Sequence, residues 1–194
     1  MKRSVLWRIL FLAVVVLVLG ACAKPPTDEV DAANLSLARA EADADAREYA
    51  PDSLSDARSL VVRMETELEA KRYDAAKTLA LEAAEAARKA IDDGASGKTR
   101  ARSEAISLIS SAKTSLGEVQ QSLRAAKRVR GLSLDVNATE GDINVAAQTI
   151  TAADDDLSKS DFKAASSKAQ SARSMLSGIT QRVSAAVQKA TRRK

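Results

Sequence analysis

Histidine is absent from the 194 residues, cysteine occurs once, and Phe, Trp and Tyr together make up 3%. Without an imidazole the chain lacks the most versatile general base and the commonest metal ligand, and a single thiol closes no internal disulfide. A Cys–His nucleophile pair and a Cys/His zinc site are both excluded, so no catalytic residue, metal or cofactor is expected. Only Tyr49, Tyr73 and Phe162 follow Cys22 as aromatics, too few for the stacking platforms on which single-stranded nucleic acid is bound. The same scarcity leaves alanine to fill the interior, where it lets helices approach closely but buries little area per residue.

What is present begins with a positive start, Lys2, Arg3 and Arg8, followed by an uncharged apolar run from Ile9 to Leu19 and two small residues before Cys22. The run is too short to span a bilayer, and small residues before a cleavage point mark a secretory signal. Leu19, Gly20 and Ala21 ahead of Cys22 resemble the lipobox of bacterial lipoproteins. That resemblance implies removal of residues 1–21 and an acylated Cys22 as the mature N-terminus, held in membrane lipid by several acyl chains. At about 0.8 kcal/mol per buried methylene, such an anchor is practically permanent. Ala23, where an inner-membrane retention signal would have Asp, implies outer-membrane delivery facing the periplasm, or the cell membrane where there is only one.

Three of the 30 basic residues and none of the 26 acidic ones precede Cys22, so the rest of the chain carries 27 − 26 = +1. That near-neutral sum is uneven. Residues 22–97 hold 10 basic and 17 acidic side chains, a net −7, and residues 98–194 hold 17 and 9, a net +8. Opposite halves of this kind can dock on each other or face different partners. Nucleic acid is not expected among them, because an exported chain does not meet it.

After Lys24-Pro25-Pro26, read as a short extended spacer, apolar residues recur at three and four throughout, the period of an amphipathic helix. The pattern predicts an all-α, elongated antiparallel bundle of about six helices with coiled-coil-like heptads. They run from Thr27 to Tyr49; from Ser53, with Asp56 as a weak capping box, to Leu68; from Tyr73 to a stop at Asp92-Asp93-Gly94; from Thr99 to a break at Gly131; from a capping-box-like Asn137 and Glu140 to Leu157; and from Asp161 to the fraying basic tail. The domain reading is a leader at 1–21, lipidated Cys and spacer at 22–26, a first helical unit at 27–93, a linker at 94–98, a second unit at 99–190 and a tail at 191–194. Gly117, within the fourth helix, is expected to mark a bend or close contact.

The second and third helices superpose on the fifth and sixth at one offset, 143 − 54 = 89: Leu54, Ala57, Val61, Met64, Leu68, Tyr73, Ala76, Ala80 and Ala83 fall on Ile143, Ala146, Ile150, Ala153, Leu157, Phe162, Ala165, Ala169 and Ala172. The register holds across the intervening turn, which predicts two related hairpins. The first hairpin, with its A-x-x-L-x-x-A rhythm and aromatic-x-x-A turn over about residues 35–92, resembles the tetratricopeptide style of helix pair. It resembles more closely a family of short, Ala-rich bacterial lipoproteins without an assigned activity. The Trp-Leu-Gly start and closing Pro of the full tetratricopeptide consensus are missing.

"GASGKT" at 94–99 lacks the glycine of a phosphate loop at Asp92 and follows a helix where that motif follows a strand, so no nucleotide is expected. Asp154, Asp155 and Asp156 point about 100° apart around a helix, whereas Ca²⁺ wants six or more converging oxygens. The densest charge is the basic face of Arg124, Lys127, Arg128 and Arg130, a candidate partner-binding surface. The C-terminal "TRRK" is similar to the end of the murein lipoproteins, whose last lysine is joined to peptidoglycan; by that likeness Lys194 would supply the amine. The functional expectation is a non-enzymatic, lipid-anchored binding or scaffolding protein of the cell envelope with a protein or peptidoglycan partner, and its alternative is a structural tether from outer membrane to peptidoglycan.

Overall fold

Apolar residues three and four apart build helices here because alanine, the best helix former, is the commonest residue between the caps, and the leucines, arginines, lysines and glutamates beside it lose little rotamer freedom in a helix. The computed structural model describes residues 24–192, all-helical between short connections. Among these residues the order is α1 (Thr27–Ala42), α2 (Ala44–Tyr49), α3 (Pro51–Glu69), α4 (Tyr73–Ala126), α5 (Val136–Ser158) and α6 (Phe162–Arg192). Six helices were expected and six are present, but they divide the chain differently.

Residues 94–98, expected as a linker, are helical, and the third and fourth expected helices are one continuous α4. Gly94 does not stop it, because a glycine in a helix costs only about 1 kcal/mol against Ala, and the long run of helix formers on either side of Gly94 and Gly97 carries the helix through. The first expected helix is instead broken at Asp43, whose extended backbone ends α1 and whose carboxylate accepts the Ala46 N–H at 2.7 Å to cap α2. The caps also move. Pro51 occupies the first turn of α3 with Ala50 as its uncapped N-cap, freeing the Ser53 hydroxyl to donate to Asp93 at 2.6 Å. Asp135 caps α5 through the Ala138 N–H at 2.9 Å, not Asn137 with Glu140. Asp161 opens α6 as expected, accepting from the Ala164 N–H at 3.0 Å.

The described chain forms two compact units that meet between Ser96 and Gly97, inside the expected linker. In the first, α1 and α3 pack with the opening half of α4. Ala33, Val61, Met64, Leu79, Ala80 and Ala83 form one core layer, and Ala40, Leu54, Ala57, Ala87 and Ala90 the next. Pairing Met64 with Ala80 and Leu54 with Ala90 makes α3 antiparallel to α4. The short α2 lies over Gly94, where a Cβ would sit 2.5 Å from the Ala46 nitrogen. Gly94 is thus the closely packed glycine; Gly117 is exposed with nothing within 4 Å of where a Cβ would be.

In the second unit the closing half of α4, α5 and α6 bury Ile109, Val119, Leu123, Ile143, Ile150, Phe162, Leu176, Ile179 and Val183 among alanines. Ion pairs record the register: Lys113 with Asp154 at 2.7 Å joins α4 to α5, Lys127 with Glu140 joins the turn after α4 to α5, and Lys168 with Asp156 at 2.5 Å and Arg182 with Asp142 join α5 to α6, each pair of helices antiparallel.

The 89-residue offset reappears in the backbone. Ala70 and Lys159 end their helices with almost the same dihedrals, and Lys71 (φ 57°) and Ser160 (φ 64°) are the non-glycine left-handed residues among those described. At each turn a matched set of amides closes the helix: Lys71 onto Leu68 and Arg72 onto Glu67, Ser160 onto Leu157 and Asp161 onto Asp156, all between 2.9 and 3.1 Å. The i to i−5 bond with a left-handed residue before it is a Schellman closure, which satisfies helix-end carbonyls that would otherwise face water. Even the cross-helix bridges correspond, since Ser53 and Asp93 plus 89 are Asp142 and Arg182.

Candidate functional site

The sequence-derived candidates are spread over different places. Cys22, Leu19, Gly20, Ala21 and Lys194 lie outside the described residues. Arg124 is exposed in the last turn of α4, but Lys127, Arg128 and Arg130 lie beyond Ala126, in the turn that leads to Gly131 (φ 77°). They therefore form no single helix face, as the expected helix end at Gly131 would have made them. Lys127 is committed to Glu140. Arg124, Arg128 and Arg130 stand exposed near a helix C-terminus, where cations complement the helix dipole and need no ligand to explain them.

The acidic run is spoken for in the same way. Asp154 pairs with Lys113 and Asp156 with Lys168, on different neighbouring helices, and the described residues contain no group of three or more Cys, Asp or Glu placed to hold a metal ion. Residues 94–99 are helical with Gly94 and Gly97 buried, so no loop of free amides exists there to cradle a phosphate. No helix among the described residues is long and apolar enough to cross a membrane.

The surface that stands out is one the sequence reading missed. Between α5 and α6 runs an open groove of about 700 Å³ lined by Val145, Ser171, Ser174, Met175, Gly178 and Ile179. Val145 is 50% and Met175 39% exposed, and nothing stands within 4 Å of where a Gly178 Cβ would be. The ion pair of Asp142 with Arg182 borders it.

The repeat supplies an internal control for this face. Subtracting 89 carries Val145, Ser171, Ser174, Met175 and Gly178 onto Asp56, Glu82, Glu85, Ala86 and Lys89 of α3 and α4. In the first unit those positions hold three carboxylates and an ammonium, the ordinary solvated dress of a helix pair. The second unit keeps the backbone and the core register, replaces the four charges with a valine, two serines and a glycine, and puts Met175 where the first has Ala86. A signal for it was present in the sequence, in the exposed positions of the repeat, whereas the periodicity that revealed the repeat reports only the buried ones.

The first unit has a polar groove of its own, about 320 Å³, where Lys24, Pro25 and Pro26 run beside Tyr73, Asp74 and Lys77 at the start of α4. Pro26, the end of the expected spacer, is buried, and the Pro25 carbonyl accepts the Thr27 N–H at 2.9 Å, whereas the Lys24 and Pro25 side chains are exposed. Lys77 and Glu29 pair here at 2.6 Å. The lysine's hydrogen bond holds the Glu29 carboxyl below its ordinary value, and the Lys77 ammonium is raised in return. In the adjoining turn the Arg72 guanidinium likewise lowers Glu67 by a bidentate hydrogen bond.

Comparison with known proteins adds nothing to this geometry, since no family model, curated protein or solved structure matches the chain.

Proposed function

We propose that the protein is a non-enzymatic binding or scaffolding module of the cell envelope, anchored by acyl chains on Cys22 and facing the periplasm, which holds a helix of a partner protein in the α5–α6 groove. The observation that carries the reading is the loss of charge from that groove relative to the matching face of the first unit. Bare serines and glycine let another backbone approach closely, and Val145 and Met175 give it apolar surface to cover. Met is a usual component of surfaces that accept helices of varied shape. Asp142 and Arg182 at the rim would favour one orientation of an amphipathic helix over its reverse.

The lipobox likeness at Leu19 to Cys22 supports the anchor, and the absence of histidine from the sequence supports a role other than catalysis. A photo-crosslinker at Met175 is expected to give a discrete adduct in intact cells. The substitutions Gly178→Lys and Ser171→Glu, which restore first-unit character on an open surface, are expected to abolish it without changing the melting temperature. The same probe at Ala86 serves as control. No adduct at Met175, or one indifferent to the restored charges, would overturn the groove as the contact surface; mass analysis of the mature N-terminus tests the anchor separately.

A further inference from the structure

The short reach between Cys22 and the folded chain limits how the first unit can stand on a membrane. We propose that the end of this unit carrying the start of α1 and the α3–α4 turn rests in the phospholipid headgroup layer, with the Lys24 and Lys71 ammoniums among the phosphates. The inference rests on the acylation of Cys22 put forward above and goes beyond it, because an anchored protein on a slack tether would have no fixed orientation.

The fold removes that slack. Pro26 is buried and its carbonyl already accepts the Val30 N–H at 3.1 Å, while Lys24 and Pro25 line the groove against the first turn of α4. Two residue steps separate Cys22 from Lys24, a reach of about 7 Å at full extension. Bilayers of about 40–45 Å with a hydrocarbon core of about 30 Å leave a polar layer of roughly 5–8 Å on each side. The groove around Tyr73 is therefore held at the level of the headgroups or directly on them.

The chemistry of that end suits such a layer. Its cations are Lys24, Lys71, Arg72 and Lys77, and its carboxylates Asp28, Glu29, Glu67, Glu69 and Asp74, of which Glu69 is exposed at the end of α3 and open to a headgroup ammonium. Arg72 is satisfied by Glu67 and Lys77 by Glu29, and Asp28 and Asp74 sit in the first turns of α1 and α4, where the helix dipoles hold negative charge. Lys24 and Lys71 are exposed, with long apolar stems that can lie along lipid while the ammonium reaches a phosphate. Half-buried Tyr73 beside them has the amphipathic ring that favours an interface. A surface with both signs of charge matches a headgroup that itself carries ammonium and phosphate.

The test uses the acylated mature chain in vesicles of phosphatidylethanolamine and phosphatidylglycerol (3:1) carrying a headgroup nitroxide, with a fluorophore on Ala70→Cys or Asp52→Cys. Eighteen helical steps of about 1.5 Å put these probes about 27 Å apart along α3. The Ala70 probe is expected to be quenched several-fold more than the Asp52 probe, and Lys24→Glu with Lys71→Glu is expected to cut that excess by half or more while the protein still floats with the vesicles. Equal quenching of both probes on protein shown by mass to be acylated overturns the orientation alone. Protein that carries no acyl chain and does not float overturns the orientation together with the reading beneath it.

Discussion

A Cβ added at Gly94 would lie 2.5 Å from the Ala46 nitrogen and 2.7 Å from both the Ala46 Cα and the Asp45 carbonyl carbon, and all three are backbone atoms that no rotamer change can move aside. The helix gain of about 1 kcal/mol from Gly to Ala is therefore outweighed at this position. Gly94→Ala is expected to destabilise by about 1–3 kcal/mol, the usual range for overpacking, and Gly117→Ala, which meets open space, to stabilise by up to about 1 kcal/mol. Urea unfolding of the two variants checks this, and shifts of the same sign would refute the close approach of α2 to α4. In the sequence Gly94 after two aspartates read as a helix stop, and the close contact was expected at Gly117 instead. What separates them is the partner across the interface, α2, and its position depends on the extended backbone of Asp43 within an unbroken run of helix formers.

The Schellman turns at Lys71 and Ser160 were legible in outline at the scale of elements, because the aromatic-opened helices after them keep their register over 89 residues. Their left-handed residues were not, since neither is the glycine such a site favours. A left-handed non-glycine residue costs roughly 1–2 kcal/mol, so Lys71→Gly and Ser160→Gly are each expected to raise stability by about 1 kcal/mol, comparably if the two turns are one motif repeated. Thermal unfolding of both variants reads this directly; opposite signs would count against the duplication. The turn at Lys71 also has a pH dependence. Glu29 and Glu67 titrate below the ordinary 4.5 in the folded chain because Lys77 and Arg72 donate to them, so their contribution is complete above that value and is lost as pH falls through the lowered folded values. Hydrogen exchange is expected to show the start of α1 and the end of α3 loosening first on acidification below pH 4.5, and Glu29→Gln with Glu67→Gln to remove the effect. Both pairs are at the surface, so the loosening stays local.

At the scale of the whole molecule the two units share a turn and a register but not a core. The first buries Leu54, Val61, Met64 and Leu79 among alanines, whereas the second adds to its alanines nine larger apolar side chains from Ile109 to Val183. The substitution shows within the repeat itself: Ala87 and Ala90, both buried, correspond to the buried Leu176 and Ile179. Each exchange of a buried alanine for a leucine or isoleucine adds about three methylene equivalents, at about 0.8 kcal/mol apiece. This asymmetry was open to sequence reading once the repeat was aligned. The face that distinguishes the α5–α6 groove was present in the same alignment, at its exposed positions, but helical periodicity marks what is buried and gives no weight to a charge missing from an exposed position. The second unit, with the larger core, is expected to be the rigid one. Native-state hydrogen exchange should therefore show amides of α1 and α3 opening at lower free energy than those of α5 and α6, with protection rising along α4 from its first half to its second. Truncating fully buried Leu176 to Ala is expected to remove about 2–5 kcal/mol and most of that difference. Uniform protection along α4 in the unmodified chain would show that the larger core gives the second unit no separate stability.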